Sequence, residues 1–181
     1  YEFRNWAGPT LEVRLFVPDG ATTVTPIAIV IHGWSRDVDR YFNDWQALGE
    51  EHGFIVAVPH FTVEDFPGSN EFNQGHVFDA DTRAIRAPET WTFAAIEPLF
   101  DDVVRRIGGN QATYTLFGHS AGSQFVHRFL YFNPRARVVS AVAANAGWYT
   151  MPDLSVAWPY GLEGMGVDEQ QLATVMKVPL T

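Results

Sequence analysis

Apolar runs alternate with segments of helical periodicity in the first third of the chain. Residues 27–31 and 54–58 are apolar at every position, a pattern typical of parallel strands that are covered on both faces. Pro59 marks the expected end of the second run. Between the two runs, residues 39–52 have the spacing of an amphipathic helix. Its predicted apolar face consists of Tyr41, Trp45 and Leu48. This order of strand, helix and strand predicts the right-handed crossover of a parallel sheet.

The same pattern continues on either side of this unit. Residues 2–4 and 11–17 predict a hairpin of two edge strands. Apolar residues recur at intervals of three and four in residues 96–107, which predicts an amphipathic helix. Residues 137–144 predict another buried strand, and residues 178–181 the beginning of one more. The chain is therefore expected to form a single α/β domain over residues 1–181, with a mostly parallel sheet and helices on both faces.

Residues 60–90 lack a regular pattern and predict a loop of about thirty residues. Loops of this length inside a compact domain are often functional, so this segment either borders a substrate cleft or is simply solvated.

A short motif lies where a β-prone run passes into a helical pattern. Residues 114–117 lead into Gly118-His119-Ser120-Ala121-Gly122, and residues 123–133 follow with helical spacing. A G-x-S-x-G nucleophile elbow requires this context of strand, turn and helix. Ser120 is therefore the candidate nucleophile, and the N–H of Ala121, at the start of the helix, is a candidate donor to an oxyanion. The alternative is a glycine-rich turn that contains an ordinary serine.

A second motif, His32-Gly33-Trp34, directly follows residues 27–31. Ligands of parallel sheets bind beyond the carboxyl ends of the strands, so the N–H of Trp34 is the candidate second oxyanion donor. We interpret His32 as a buried brace of this loop. Two further side chains are candidates for the substrate pocket: His119 beside the serine, and Trp148 after residues 137–144, which is equally consistent with a core aromatic.

In this order, and each at the end of an apolar run, the two motifs resemble those of the α/β-hydrolase superfamily. Residues 89–93 and 145–149 add a resemblance to the poly(3-hydroxyalkanoate) depolymerase and feruloyl esterase-like branch. The resemblance implies hydrolysis of esters by a triad of Ser, then Asp or Glu, then His. It implies neither a cofactor nor a metal.

The resemblance places the acid and the histidine of the triad beyond residue 181. His127 follows Ser120 by seven residues, about 10 Å along a helix, which is too far for proton transfer. Three residues stay open as partners in an unusual arrangement: His60, His76 and Asp153. We therefore expect the chain to be the N-terminal portion of a longer hydrolase, without its C-terminal strands. The missing groups would follow in the same polypeptide or belong to a second chain.

Composition narrows the possible partners. The net charge of −9, with 21 acidic and 12 basic residues, argues against nucleic acid or an anionic membrane surface. The absence of cysteine excludes disulfides and thiolate sites, and no apolar run approaches the ~20 residues of a membrane span. The chain starts at Tyr1, which is compatible with removal of an upstream signal peptide but by itself says nothing about secretion. The compartment stays open, with a secreted or periplasmic location slightly favoured over a cytoplasmic one.

The expected substrate is a small or polymeric ester. Two alternatives remain, an amide or peptide hydrolase on the same fold and a non-catalytic binding module.

Overall fold

A six-stranded sheet organises the residues that the computed structural model describes, residues 1–82 and 84–181. Its strands are β1 (Glu2–Phe3), β2 (Leu11–Phe16), β3 (Ile27–Ile31), β4 (Ile55–His60), β5 (Tyr114–His119) and β6 (Val138–Ala144). They lie in the order β1-β2-β4-β3-β5-β6. β1 and β2 pair antiparallel, as do β2 and β4, whereas β4, β3, β5 and β6 are parallel. The predicted hairpin and the mostly parallel sheet are confirmed.

Helices cover both faces of this sheet. They are α1 (Val38–His52), α2 (Ile96–Ile107), α3 (Ala121–Phe132) and α4 (Glu169–Val175). Successive residues of a strand point to opposite faces. Val30 of β3 accordingly packs in the cluster that contains the apolar residues of α1, while Ile29 and Ile31 join the larger cluster with α2 and α3. None of the described helices has the length and apolar character needed to cross a membrane.

The apolar face of α1 differs from the prediction at one position. Leu48 is 41% exposed, whereas Val38 and Gly49 are buried. Trp45 packs against the same cluster as Val38. Residues 38, 45 and 49 fall on one side of a helix with 3.6 residues per turn, and residue 48 lies about 100° away from residue 49. Leu48 therefore lies at the exposed edge of the predicted apolar face.

β4 continues past Pro59, where the sequence predicted its end. Pro59 pairs with Val13 of the antiparallel strand β2. The pairing of β4 with β3, in contrast, ends at Ala57. Proline lacks a backbone N–H, and it is tolerated here because the ladder to β3 has already ended.

The long loop after β4 is packed against the core. Phe61, Phe66 and Phe72 are buried. The rings of Phe61 and Phe72 lie 5.3 and 6.0 Å from that of Phe125 in α3. Burial of a phenyl side chain contributes about 1.5–3 kcal/mol. The interpretation of this part of the loop as simply solvated was therefore wrong.

The last residues extend the sheet beyond β6. The carbonyl of Pro179 accepts a hydrogen bond of 2.8 Å from the N–H of Ala141. The carbonyl of Thr181 accepts one of 2.8 Å from Ala143. Leu180 forms a parallel bridge with Ala141. The predicted beginning of a further strand is confirmed.

Candidate active site

Ser120 lies in the turn between β5 and α3, at the carboxyl end of the sheet. Its φ of 56° and ψ of −118° fall in a region that residues with a side chain rarely adopt. Its N–H donates to the carbonyl of Ala144 at 2.9 Å. Its own carbonyl accepts from the N–H groups of Ser123 and Gln124 at 3.1 and 3.2 Å. The strained turn is thus tied to β6 on one side and to the first turn of α3 on the other.

Two glycines allow this turn to form. A Cβ on Gly118 would overlap the carbonyl of Gly122. A Cβ on Gly122 would overlap the carbonyl of Ile31, at the end of β3. The start of α3 therefore packs directly on the backbone of two strands, which no other residue type permits.

The loop after β3 runs against the serine. A Cβ built on Gly33 would lie 3.5 Å from the Cβ of Ser120 and 3.5 Å from the carbonyl oxygen of His119. Trp34 follows directly and is 51% exposed. Among the described residues, no hydrogen bond involves the N–H of Trp34 or that of Ala121. The structure therefore brings Gly33, the residue directly before Trp34, beside Ser120.

His119 is connected to α1. The hydroxyl of Tyr41 lies 2.7 Å from Nδ1 of His119. Burial raises the pKa of Tyr41, so its hydroxyl stays protonated. The sequence assigned Tyr41 only to the apolar face of the helix. Its hydroxyl instead holds the ring of His119 at the edge of the site.

Two buried histidines brace the loops at this end of the sheet. Nε2 of His32 accepts the N–H of Phe61 at 3.0 Å, and its Nδ1 lies 3.0 Å from the carbonyl of Gly33. Nε2 of His127 accepts the N–H of Thr150 at 3.0 Å, and its Nδ1 lies 2.8 Å from a carbonyl one turn earlier in α3. Each neutral ring thus donates through Nδ1 and accepts through Nε2. Burial lowers the pKa of both to about 4.

These two histidines predict a loss of stability in mild acid. Their pKa falls from 6.5 to about 4 on folding. The unfolded chain therefore takes up protons first as the pH drops below 6.5, and the native state loses stability down to about pH 4. Each histidine should cost about 2 kcal/mol of unfolding free energy at pH 5 relative to pH 7. Urea unfolding at the two pH values measures this loss.

Matched variants separate these histidines from other acid-titrating groups. The free energy of unfolding of His127→Gln should fall less between pH 7 and pH 5 than that of the wild type. His52→Gln, at the exposed end of α1, should retain the full fall. Equal slopes in all three proteins would contradict the assignment.

Thr150 connects the segment after β6 to α3, and sequence reasoning missed it. Besides the bond to His127, its Oγ1 accepts from Nε of Arg128 at 2.8 Å. Its carbonyl accepts from the hydroxyl of Tyr131 at 3.1 Å. The available signal was the presence of His127, Arg128 and Tyr131 in the second half of α3, where the other residues are apolar. Because Trp148 lies two residues before Thr150, α3 fixes the segment that carries it.

Arg128 is a fully buried cation beside Trp148. Its Cζ lies 4.3 Å from the ring centroid of Trp148 and 5.6 Å from that of Trp158, and its Nη1 donates to the carbonyl of Asn73 at 2.9 Å. No carboxylate in the described part of the chain pairs with it. Burial lowers its pKa to about 9, so it remains charged at neutral pH. The ring of Trp148 also lies 4.9 Å from that of Tyr160.

The residues considered as alternative triad partners of Ser120 form no hydrogen bond with its hydroxyl among the residues that the structure describes. Nδ1 of His60 is 3.9 Å from Oε2 of Glu12. Asp153 is exposed and accepts from the N–H and hydroxyl of Ser155 at 2.8 and 2.7 Å. Within residues 1–82 and 84–181, no hydrogen bond links the hydroxyl of Ser120 to His60, His76 or Asp153.

No protein-family model matches the chain, and no curated protein matches its sequence. Solved structures do match. Poly(aspartic acid) hydrolase-1 from Sphingomonas sp. KT-1 has 45% sequence identity and a TM-score of 0.95, over 99% of this chain and 68% of that one. A poly(3-hydroxybutyrate) depolymerase from Bordetella parapertussis has 33% identity and a TM-score of 0.86, over 94% of this chain and 58% of that one.

A more distant structure shares the fold alone. S-formylglutathione hydrolase from Staphylococcus aureus has 15% identity and a TM-score of 0.59, over 98% of this chain and 64% of that one. The chain thus spans about two thirds of the length of the Sphingomonas protein and less of the Bordetella protein. Identity of 45% over almost the whole chain indicates common descent, and the mostly parallel sheet with helices on both faces agrees with it. The chain belongs to the α/β-hydrolase superfamily, as the two sequence motifs indicated.

Proposed function

We propose that this protein is a serine hydrolase that cleaves carboxylic esters through an acyl-enzyme on Ser120. The observation that carries the proposal is the strained turn of Ser120, which has Gly33, the residue before Trp34, close beside it. A serine in such a turn presents its hydroxyl to a substrate above the sheet. Strain of this kind persists only where the surrounding structure enforces it, and it is concentrated at functional sites.

In the proposed reaction, Oγ of Ser120 attacks the carbonyl carbon of the ester. The N–H groups of Trp34 and Ala121 receive the oxygen that becomes negative. The positive end of the α3 dipole favours this charge at the same place. A base takes the proton of the hydroxyl and transfers it to the departing alcohol, and water then hydrolyses the acyl-enzyme.

We propose that the base is a histidine, oriented by an acid, and that both belong to the part of the protein beyond residue 181 or to a second chain. Both reported relatives are longer than this chain. The two fully braced histidines, His32 and His127, have both ring nitrogens engaged in structural contacts. The sheet already continues past β6 at residues 179–181.

A second candidate is hydrolysis of an amide bond in an acidic polymer. The relative with 45% identity is a poly(aspartic acid) hydrolase. The net charge of −9 opposes long-range attraction of such a polymer.

Labelling with a fluorophosphonate tests the feature that both candidate functions share, a nucleophilic Ser120. The full-length protein should incorporate about one label per chain at Ser120, because an activated serine attacks the phosphorus atom. An inert serine would support a non-catalytic binding module and overturn the proposal.

Turnover measurements then distinguish hydrolysis of an ester bond from hydrolysis of an amide bond. A soluble 3-hydroxybutyrate oligomer should be cleaved faster than poly(aspartic acid) of similar length if the ester assignment holds. The opposite order would favour the amide candidate and leave the role of Ser120 intact.

A further inference from the structure

Arg36 closes the turn that carries Trp34. Its N–H donates to the carbonyl of Gly33 at 3.2 Å. Its φ is 58°, a conformation that costs a residue with a side chain about 1–2 kcal/mol. The surroundings must therefore hold Arg36 in this conformation.

The contacts of its guanidinium hold Arg36 in this conformation. Its Nη1 donates to the carbonyl of Phe61 at 3.3 Å, and its Nη2 donates to the carbonyl of Phe66 at 2.9 Å. Its Cζ lies 3.8 Å from the ring centroid of Phe72 and 5.0 Å from that of Trp34. The side chain thus connects three residues of the long loop with the ring of Trp34. A planar fork with several donors can do this, whereas the single ammonium group of lysine cannot.

Two residues, one on each side of Trp34, form hydrogen bonds with Phe61 of the long loop. His32, before the turn, accepts the N–H of Phe61 at 3.0 Å. Arg36, at the end of the turn, donates to the carbonyl of Phe61. Between these anchors lies Trp34, whose side chain is half exposed and whose N–H has no partner in the described structure. The direction of that N–H is therefore set by the anchors.

We propose that Arg36 is a positioning residue for catalysis, which holds the turn of residues 33–36 against residues 61–66 so that the N–H of Trp34 faces the reacting carbonyl at Ser120. This inference rests on the proposed function. Arg36 is buried and acts through Trp34. It remains charged at neutral pH, although burial lowers its pKa to about 10.

Three variants of the full-length protein test this role. Arg36→Met retains the length of the side chain and loses the fork and the charge. Arg36→Lys retains the charge and loses the fork. Arg40→Met, on the exposed face of α1, removes a nearby charge whose contact with Asp44 is a weak pair of 3.9 Å. Urea unfolding of each variant gives the folded fraction to which kinetic values are normalised.

The expected result is a separation of kcat from KM. Arg36→Met should lower kcat about 10- to 100-fold, because a misaligned oxyanion donor loses much of the stabilisation of the transition state. KM should stay within about twofold, since the donor acts mainly in the transition state. Affinity for a boronic acid, which forms a tetrahedral adduct with the serine, should fall together with kcat/KM. Arg36→Lys should be intermediate, and Arg40→Met should equal the wild type.

Other results would overturn the inference in distinguishable ways. If the wild type reacts with fluorophosphonate and both Arg36 variants retain wild-type kcat, the positioning role is wrong while the proposed function stands. If kcat and boronic acid affinity fall only in proportion to the folded fraction, Arg36 is merely structural. If Ser120 of the wild type is inert, the proposed function fails first.

Discussion

Replacing Ser120 with alanine is expected to lower kcat at least about 10⁴-fold and to leave the fold intact. The variant loses the oxygen that forms the acyl-enzyme, whereas the backbone donors of the oxyanion remain. The contacts that hold the turn come from the backbone of Ser120, to Ala144, Ser123 and Gln124, and alanine preserves them. Steady-state kinetics of the full-length protein on a soluble ester, with urea unfolding in parallel, measure the two effects.

An exposed serine of the long loop provides the control. Ser69→Ala should retain both turnover and fluorophosphonate labelling, because the residue is exposed on the loop surface. Labelling in the wild type and its loss in Ser120→Ala would agree with a single nucleophile. If Ser120→Ala retained more than about one hundredth of wild-type kcat, another group would have to perform the attack, and the acyl-enzyme proposed for Ser120 would be wrong.

Local patterns predicted most of the elements of this fold. β3 and the hairpin of β1 and β2 were predicted almost residue by residue, because periodicity of apolar residues is a property of neighbouring positions. The packing of the long loop could not be predicted from the periodicity of apolar residues. Phe61 and Phe72 contact Phe125 across more than fifty residues of sequence, and nothing in the loop itself indicates that partner.

The difference between local patterns and contacts of distant residues also applies to the candidate site. Ser120 and Trp34 could be predicted as candidates because each belongs to a short motif whose glycines have a steric requirement, and their roles stay predictions. Arg36 and Arg128 were missed, since their partners are distant. Arg36 contacts a carbonyl 25 residues away, and Arg128 one 55 residues away. Arg128 lies inside a buried helix, where a charge signals that something must compensate it, but the sequence does not show what.

Gly122→Ala is expected to lower the free energy of unfolding by about 3 kcal/mol, a large effect for the addition of one methyl group. The new Cβ would overlap the carbonyl of Ile31 and lie 2.7 Å from that of His32. Both are backbone atoms at the end of β3, so relief requires α3 to move away from the strand that leads to Trp34. Turnover should therefore fall together with stability, in contrast to Ser120→Ala. Urea unfolding and kinetics on the same preparation measure both.

Gly147 offers a matched control for the added methyl group at the same end of the sheet. A Cβ there would find only Nε2 of Gln124, at 3.9 Å, within van der Waals range among the described atoms. Gly147→Ala should therefore change the unfolding free energy by less than about 1 kcal/mol. If Gly122→Ala were as stable as Gly147→Ala, the first turn of α3 would not rest on the backbone of β3. The closeness of Ser120 to the loop after β3, on which the proposed oxyanion site depends, would then be lost as well.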